Sequence, residues 1–142
     1  MRHGHSLLEL VITLTIVSVV TSLAVPRVAA WLDWIAVEGA AQDFTTAVSI
    51  TRNRAVRSGL RVRLEIERDS FRMYQLGDTG WVADRGWVGP AQSGVSLVVS
   101  NKTLVFDPVG LGVGASNTRV VFARGLHTAT FTMSRLGRIK RW

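Results

Sequence analysis

The chain has 142 residues, enough for one domain around one modest hydrophobic core. It contains no cysteine, which excludes a disulfide framework and a thiolate metal site but leaves the cellular compartment undecided. Its net charge is +7, from 17 Lys and Arg against 10 Asp and Glu. The excess lies near the C-terminus and indicates a polyanion, acidic lipid headgroups or simply a solvated basic surface.

The first predicted element is an apolar segment, Leu7–Val25, that follows the short basic leader MRHG. Its 19 residues, at about 1.5 Å per helical residue, approach the roughly 30 Å apolar thickness of a bilayer. The segment has one ionisable side chain, Glu9, and a carboxylate at mid-bilayer depth costs about 2.5 kcal/mol or more. Trp31 and Trp34 lie just beyond it, where we expect an interfacial aromatic belt or, for Trp31, packing against a sheet.

A helical pattern of a different kind continues after Pro26. Between residues 28 and 57 apolar residues recur at helical spacing with charged residues between them, which predicts a helix with one buried face. Gly59, after a basic last turn, predicts the helix end. We therefore predict one long helix from about residue 6 to about residue 57, bent at Pro26. The residues expected on its buried face are Trp31, Leu32, Ile35, Phe44, Val48, Thr51 and Ala55.

Beyond Gly59 the sequence takes on the two-residue period of strands. Residues 62–66 and 71–76 predict a hairpin with its turn at residues 68–70. Residues 77–94 are rich in Gly, Asp and Trp and predict an irregular loop, and GLGVGASNT predicts a flexible connector. Further strands are predicted over residues 95–100, 103–106, 119–123 and 128–134, with residues 138–142 as a candidate extension. The predicted fold class is α+β, with a long bent N-terminal helix packed on a C-terminal antiparallel β-sheet.

Three interpretations of the N-terminus follow from these patterns. A cleaved secretory signal would use the small residues Ser22–Ala24, although an early acid is unusual there and the helix continues without a break. A plain membrane anchor would carry Glu9 as a liability only. The third interpretation depends on a resemblance to a known signal.

The N-terminal segment resembles the type IV prepilin signal. In that family a short basic leader ends in Gly, prepilin peptidase cuts after it, the next residue is N-methylated, and the fifth mature residue is Glu. The resemblance assigns cleavage to Gly4, the mature N-terminus to His5, the assembly register to Glu9 and a helix kink to Pro26. The family usually has Phe where this chain has His5, which leaves the efficiency of methylation open. The resemblance implies that Glu9 neutralises the N-terminus of an adjacent subunit, since an unpaired charge is costly at low dielectric.

The C-terminal part is similar to the GspH/FimT family of minor pilins and pseudopilins, through GLGVGASNT before a strand and TFTMSRLGRIK near the end. The resemblance implies a type IV pilin-like fold with a leader (residues 1–4), a transmembrane and filament-core helix half (5–30) and a periplasmic globular domain (31–142). It implies a single-pass protein of the bacterial inner membrane that later joins a filament in the periplasm or at the cell surface. The implied partners are prepilin peptidase, other pilin or pseudopilin subunits and the inner-membrane assembly platform.

Two functions remain open within that family. One is a structural role in the pseudopilus of type II secretion, and the other is DNA binding by a minor pilin of type IV pili during natural transformation. The DNA-binding members resemble this chain at Gly137–Lys140. Cationic side chains there would contact phosphates while an indole stacks on an exposed base, although a solvated strand end is the alternative. The candidate DNA-binding residues are Arg119, Arg124, Arg135, Arg138, Lys140, Arg141 and Trp142.

Other apparent motifs do not predict a phosphate-binding, catalytic or metal-binding site. The glycines within residues 110–114 mimic a phosphate loop, but no predicted helix follows them. His127, Asp107 and Ser134 lack the spacing of a catalytic triad, and the three histidines lack metal-ligand spacing. We therefore predict that the protein is not an enzyme and uses no cofactor or metal.

Overall fold

The computed structural model describes residues 6–114, 117–134 and 136–142. Within these ranges one long helix is followed by nine strands and a short 3-10 helix, η1. The described chain divides into two compact units, the first ending at Leu32 and the second beginning at Asp33. The elements are α1 (Leu7–Ser58), β1 (Val62–Ile66), β2 (Ser70–Gly77), β3 (Gly80–Val88), η1 (Pro90–Ser93), β4 (Ser96–Val99), β5 (Thr103–Phe106), β6 (Gly112–Val113), β7 (Thr118–Arg124), β8 (His127–Met133) and β9 (Ile139–Arg141).

In the first unit, the part of α1 up to Leu32 exposes every side chain. The most apolar stretch of α1 has a mean hydropathy of 2.2 and no buried residue, and in the described ranges α1 is the one helix long and apolar enough to cross a membrane. Several of its hydroxyl groups donate to carbonyls of the same helix, as Thr15 Oγ1 does to Val11 O at 2.8 Å and Thr21 Oγ1 to Val17 O at 2.7 Å. Such bonds pair these hydroxyl donors within the helix, as an apolar solvent requires.

The predicted long helix is confirmed, and Pro26 lies inside it. Proline lacks the N–H that an interior helical position donates, so a kink is expected there. That kink stays a prediction.

In the second unit, α1 packs on the sheets through a stripe of small and apolar residues at helical spacing. Phe44 is the centre of this contact, with ring centroids 6.1 Å from Phe71 of β2, 5.7 Å from Phe122 of β7 and 5.8 Å from Phe131 of β8. The prediction that the buried face begins at Trp31 is wrong, because Trp31, Leu32 and Ile35 are exposed by 59%, 51% and 41%. The buried residues of α1 are Val37, Ala40, Ala41, Phe44, Ala47, Val48, Thr51 and Ala55.

The strands form two antiparallel sheets where the sequence predicted one. The first sheet has the order β3-β2-β1-β5-β6 and the second has the order β4-β7-β8-β9. The consecutive strands β4 and β5 belong to different sheets, β4 pairing with β7 and β5 with β1. Phe44 contacts both sheets, so the apolar faces of both are buried against the same part of α1.

The prediction of an irregular loop over residues 77–94 is wrong. β3 pairs with β2 from Ser70↔Val88 to Gly77↔Gly80, and η1 follows it. β3 is the edge strand of the first sheet and most of its side chains are exposed, so it lacks the apolar alternation that identifies a strand. The predicted connector likewise contains β6, which pairs with the end of β5.

Candidate functional site

The C-terminal strand β9 extends the second sheet, as predicted. Its basic side chains therefore lie on two opposite faces of that sheet. Met133↔Ile139 and Phe131↔Arg141 are cross-strand partners, and successive side chains of a strand point to opposite faces. The Lys140 ammonium lies 3.6 Å from the centroid of the Trp142 ring. Arg141 points the other way, with its guanidinium 5.8 Å from the ring centroid of Phe131 and paired with Glu38 of α1.

A groove of about 820 Å³ lies on the outward face of the second sheet, and its cationic side chains are Arg119, Arg138 and Lys140. A smaller cavity of about 390 Å³ shares Arg119 and Thr132 with the groove and is completed by Thr130 and Trp142. The described lining of both cavities contains no Asp or Glu side chain. We call Arg119, Arg138, Lys140 and Trp142 the basic face, a surface with the charge and shape to receive phosphates.

Trp142 is held in a defined orientation on this face. Its indole Nε1 donates to Thr132 Oγ1 at 3.1 Å, and its backbone N–H donates to Thr130 O at 3.0 Å. Its side chain remains 71% exposed. An indole that is oriented, exposed and next to cations is suited to stacking on a nucleobase.

The structure brings only some of the predicted DNA-binding residues together. Arg124 is turned toward α1, with Nε 2.8 Å from Asp33 Oδ1 and Nη1 donating to Ser93 O at 2.5 Å. Arg141 donates to Glu38 Oε1 and Oε2 at 2.6 and 2.5 Å. Arg135 lies outside the described residues. Arg124 and Arg141 are each paired with a carboxylate of α1 and point away from the groove. The basic face therefore has fewer cations than the sequence predicted.

The Arg141–Glu38 pair shifts the pKa of both partners. The hydrogen bond from Arg141 is the main cause of the lowered pKa of Glu38; desolvation opposes it less strongly, and the positive charge of Arg141 lowers the pKa further. The hydrogen bond to Glu38 raises the pKa of Arg141. The pair is bidentate, the geometry in which an arginine binds a carboxylate with most directional specificity.

Gly137 determines where Arg138 enters the groove. It is buried, has φ +69°, and donates its N–H to Ser134 O at 2.9 Å. A Cβ at this position would lie 3.3 Å from Gly110 O and 3.6 Å from Nε of Arg52 on α1. The turn before β9 therefore packs closely on α1 and on the loop of Gly110. The sequence motif contained Gly137, but nothing in it pointed to Arg52 or Gly110 as its neighbours.

A second group of cations and aromatic rings, on the first sheet, was missed by the sequence. Arg63 lies 4.8 Å from the ring centroids of both Tyr74 and Trp81, and its Nη2 is 3.0 Å from Glu65 Oε1. Trp81 belongs to β3, which was predicted as a loop, so this contact had no sequence signal. The arginine is enclosed by two rings and a carboxylate, and its buried Nε has no hydrogen-bond partner among the described residues.

The N-terminal candidate residues are only partly within the structure. Gly4 and His5 lie outside the described residues. Glu9 lies in the first turn of α1, where the helix dipole favours an acidic side chain. Its predicted part in assembly concerns other subunits and stays a prediction.

The described ranges contain no cluster of metal ligands. No group of three or more His, Asp or Glu side chains there has the arrangement to hold a metal ion. Asp107 Oδ1 accepts the backbone N–H groups of Val109 and Leu111 at 3.0 and 2.8 Å, a turn-capping role.

Comparisons with known proteins agree with this fold. The family model described as Type II transport protein GspH matches residues 40–137. Pilin-like protein PilA1 of Thermus thermophilus is 27% identical over 154 residues, which cover 98% of this chain and 97% of that protein.

Two solved structures have a similar fold. The type IV minor pilin FimU of Pseudomonas aeruginosa has a TM-score of 0.62 at 14% identity and covers 73% of this chain and 86% of its own. The minor pseudopilin EpsH of the type 2 secretion system of Vibrio cholerae has a TM-score of 0.60 at 15% identity and covers 75% and 95%. With a family match over most of its length and the type IV pilin-like fold of these structures, this chain belongs to the GspH family.

Proposed function

We propose that this protein is a minor pilin or pseudopilin subunit that is cleaved after Gly4 by prepilin peptidase, methylated at His5 and assembled into a pseudopilus or pilus-like filament. The observation that carries this proposal is the helix of the first unit, which is predominantly apolar and exposed along its whole described length. Apolar surface of this extent is stable only when lipid or other protein covers it. A bilayer covers it before assembly, and the helices of neighbouring subunits cover it afterwards.

Glu9 provides the register of that assembly. After cleavage at Gly4 it is the fifth residue of the mature chain, one helical turn from the new N-terminus. A carboxylate in hydrocarbon costs about 2.5–3.5 kcal/mol, and pairing with the amino terminus of an adjacent subunit offsets that cost. The pair forms in one relative position of two helices, which selects one axial offset between subunits. The assembly platform of the inner membrane supplies the site where this pairing takes place.

The mature N-terminus tests the proposal. The full chain would be produced in a bacterial membrane with and without prepilin peptidase, and its N-terminal peptide would be analysed by mass spectrometry. We expect a methylated chain beginning at His5 only when the peptidase is present, and an uncut chain for Gly4→Val. A chain beginning near Val25 would identify a secretory signal instead, and an uncut chain with active peptidase would identify a plain anchor. Glu9→Gln is the matched variant: it should be cut normally but fail to enter filaments.

The basic face supports DNA binding as a second function. Arg119, Arg138 and Lys140 line one groove without a carboxylate, and Trp142 lies at its end with an exposed indole. Phosphate contacts by the three cations would release counterions, and stacking on Trp142 would favour single strands. A minor pilin with this activity would present the face to DNA from a filament at the cell surface.

A titration of the second unit, residues 33–142, with labelled DNA at several salt concentrations tests this function. We expect affinity to fall steeply with salt, and the triple variant Arg119→Gln, Arg138→Gln, Lys140→Gln to lose most of it. A matched variant, Arg57→Gln, Arg61→Gln, Arg68→Gln, removes the same charge from exposed positions outside the groove and should bind nearly normally. Equal losses in both variants would indicate non-specific attraction. An absence of binding at low salt would leave the basic face as a solvated surface of a purely structural subunit.

A further inference from the structure

The outward face of the second sheet carries a row of uncharged side chains beside the cations of the basic face. Val98 of β4 is the cross-strand partner of Val121 of β7, and Val121 is the partner of Thr130 of β8. Trp142 completes the row, because its backbone N–H donates to Thr130 O. Directly opposite residues on neighbouring strands point to the same face of a sheet. We call Val98, Val121, Thr130 and Trp142 the uncharged row.

A second row, of cations and hydroxyl groups, runs parallel to it. Arg119 of β7 is the partner of Thr132 of β8, and Thr132 is the partner of Lys140 of β9. Each of these residues is two positions from the member of the uncharged row on its own strand, which separates the rows by about 7 Å. Arg119 and Thr132 line both cavities of this face. The two rows therefore form one continuous surface.

The uncharged row is open to a ligand at both ends. Val98 is 68% exposed, and Trp142 remains exposed although the Lys140 ammonium lies over one face of its ring. The adjoining outward positions of the same strands are also uncharged; they are Ser96, Ala123 and Thr128. An exposed uncharged strip that contains a tryptophan and is bordered by polar residues is typical of a binding surface. The cations along one side of it select a ligand with negative charge on that side.

We propose that the uncharged row is the base-binding part of the DNA site, so that single-stranded DNA lies across the strands of the second sheet. The inference rests on DNA binding, the second proposed function, and names the single strand as its ligand. Phosphates would contact Arg119 and Lys140, while bases would contact Trp142, Val121 and Val98. A single strand has the matching arrangement, because its anionic backbone lies on one side and its flat, uncharged bases lie on the other.

The length of the row agrees with such a ligand. Neighbouring strands are about 4.8 Å apart, so the row from β4 to the end of β9 is roughly 14 Å long. At a stacked spacing of about 3.4 Å it has room for about four bases. In a duplex the bases are paired between two backbones and cannot lie flat on this surface. Single strands should therefore bind more tightly than duplexes.

Anisotropy titrations of the full chain in detergent micelles test the inference. The fluorescent probes would be an oligothymidylate, an abasic oligomer with the same number of phosphates, and a mixed-sequence duplex. The test variant is Val98→Ser with Val121→Thr, which adds no charge. The matched control is Val82→Ser with Val88→Thr, which changes two exposed valines of β3 on the first sheet. Binding of the abasic oligomer reports whether the basic face of each variant is intact.

We expect the native protein to bind the oligothymidylate at least about fivefold more tightly than the abasic oligomer. The test variant should lose about two- to fivefold in affinity for the oligothymidylate and nothing for the abasic oligomer. The control variant should bind both probes as the native protein does.

Three results would overturn the inference while leaving phosphate binding intact. They are equal native affinities for the two single-stranded probes, tighter binding of the duplex, and unchanged binding of the oligothymidylate by the test variant. A test variant that loses affinity equally for both single-stranded probes would also overturn it, because the row would then only support the basic face. An absence of binding to every probe at low salt would overturn DNA binding itself.

Discussion

Arg141 and Glu38, 103 residues apart in the sequence, form a bidentate ion pair with N–O distances of 2.6 and 2.5 Å. The pair joins the last strand of the second sheet to α1 at a point where β9 has only three residues and one strand neighbour. A short edge strand forms few backbone hydrogen bonds with its neighbour. An ion pair of good geometry therefore contributes measurably to keeping it in place.

Removal of this pair should loosen β9. For Arg141→Gln in the second unit we expect a loss of roughly 1 kcal/mol or less, because both side chains are more than a third exposed and solvent screens their attraction. Urea unfolding of Glu38→Gln, Arg141→Gln and the double variant would give the coupling energy. If the double variant loses the sum of the single losses, the two residues do not interact in solution.

The same pair should make stability depend on pH. The folded pKa of Glu38 is lowered, so its contribution is complete above the unfolded value of about 4.3 and disappears as pH falls through the lower folded value. The difference in unfolding free energy between the native protein and Arg141→Gln should therefore be constant near neutral pH and shrink below about pH 4. A difference that does not change down to pH 2.5 would contradict the pairing.

Gly137→Ala should destabilise the turn that aims Arg138 into the groove. The left-handed conformation costs an L-residue roughly 1–2 kcal/mol, and the added Cβ would also lie 3.3 Å from Gly110 O. We expect a lower melting temperature together with weaker DNA binding. Gly39→Ala is the matched control, because Gly39 lies inside α1 with open space around its Cβ direction. Gly39→Ala should raise the free energy of unfolding by about 0.5–1 kcal/mol. The two variants should therefore change stability in opposite directions.

Phe44→Ala should be among the most damaging single changes in the second unit. The side chain is 1% exposed and contacts one aromatic ring of the first sheet and two of the second. Removing a buried phenylalanine of this kind costs about 3–5 kcal/mol. Thr46→Ala, at an exposed position of the same helix, should change the free energy of unfolding by little. A small effect of Phe44→Ala in urea unfolding would mean that the two sheets do not share this core.

Trp142→Ala should separate base stacking from phosphate binding. Stacking on one indole is worth about 1–3 kcal/mol for single-stranded DNA, and the substitution leaves the cations in place. Affinity for single strands should fall while its dependence on salt concentration stays the same. Thr132→Val removes the acceptor of the indole N–H and should give a smaller loss of the same kind. A change in salt dependence would show that the tryptophan acts through the position of Lys140.

Much of the fold could be predicted because its signals are local. The helix over residues 6–57 was read from composition and helical spacing, and α1 extends from Leu7 to Ser58. The hairpin of β1 and β2 and the closing strands β7 and β8 followed from two-residue alternation between turn residues. β3 was not predicted because an exposed edge strand shows no such alternation. Its position depends instead on pairing with β2.

The sequence alone determined which residues are basic, where the apolar helix lies and which family the chain resembles. Tertiary structure decided which cations share a surface. Strand alternation places Lys140 and Trp142 on one face and Arg141 on the other, and α1 supplies the carboxylates that pair with Arg124 and Arg141. Asp33 and Glu38 are more than 80 residues from those arginines along the chain, and contacts across such separations form only when the helix packs on the sheet.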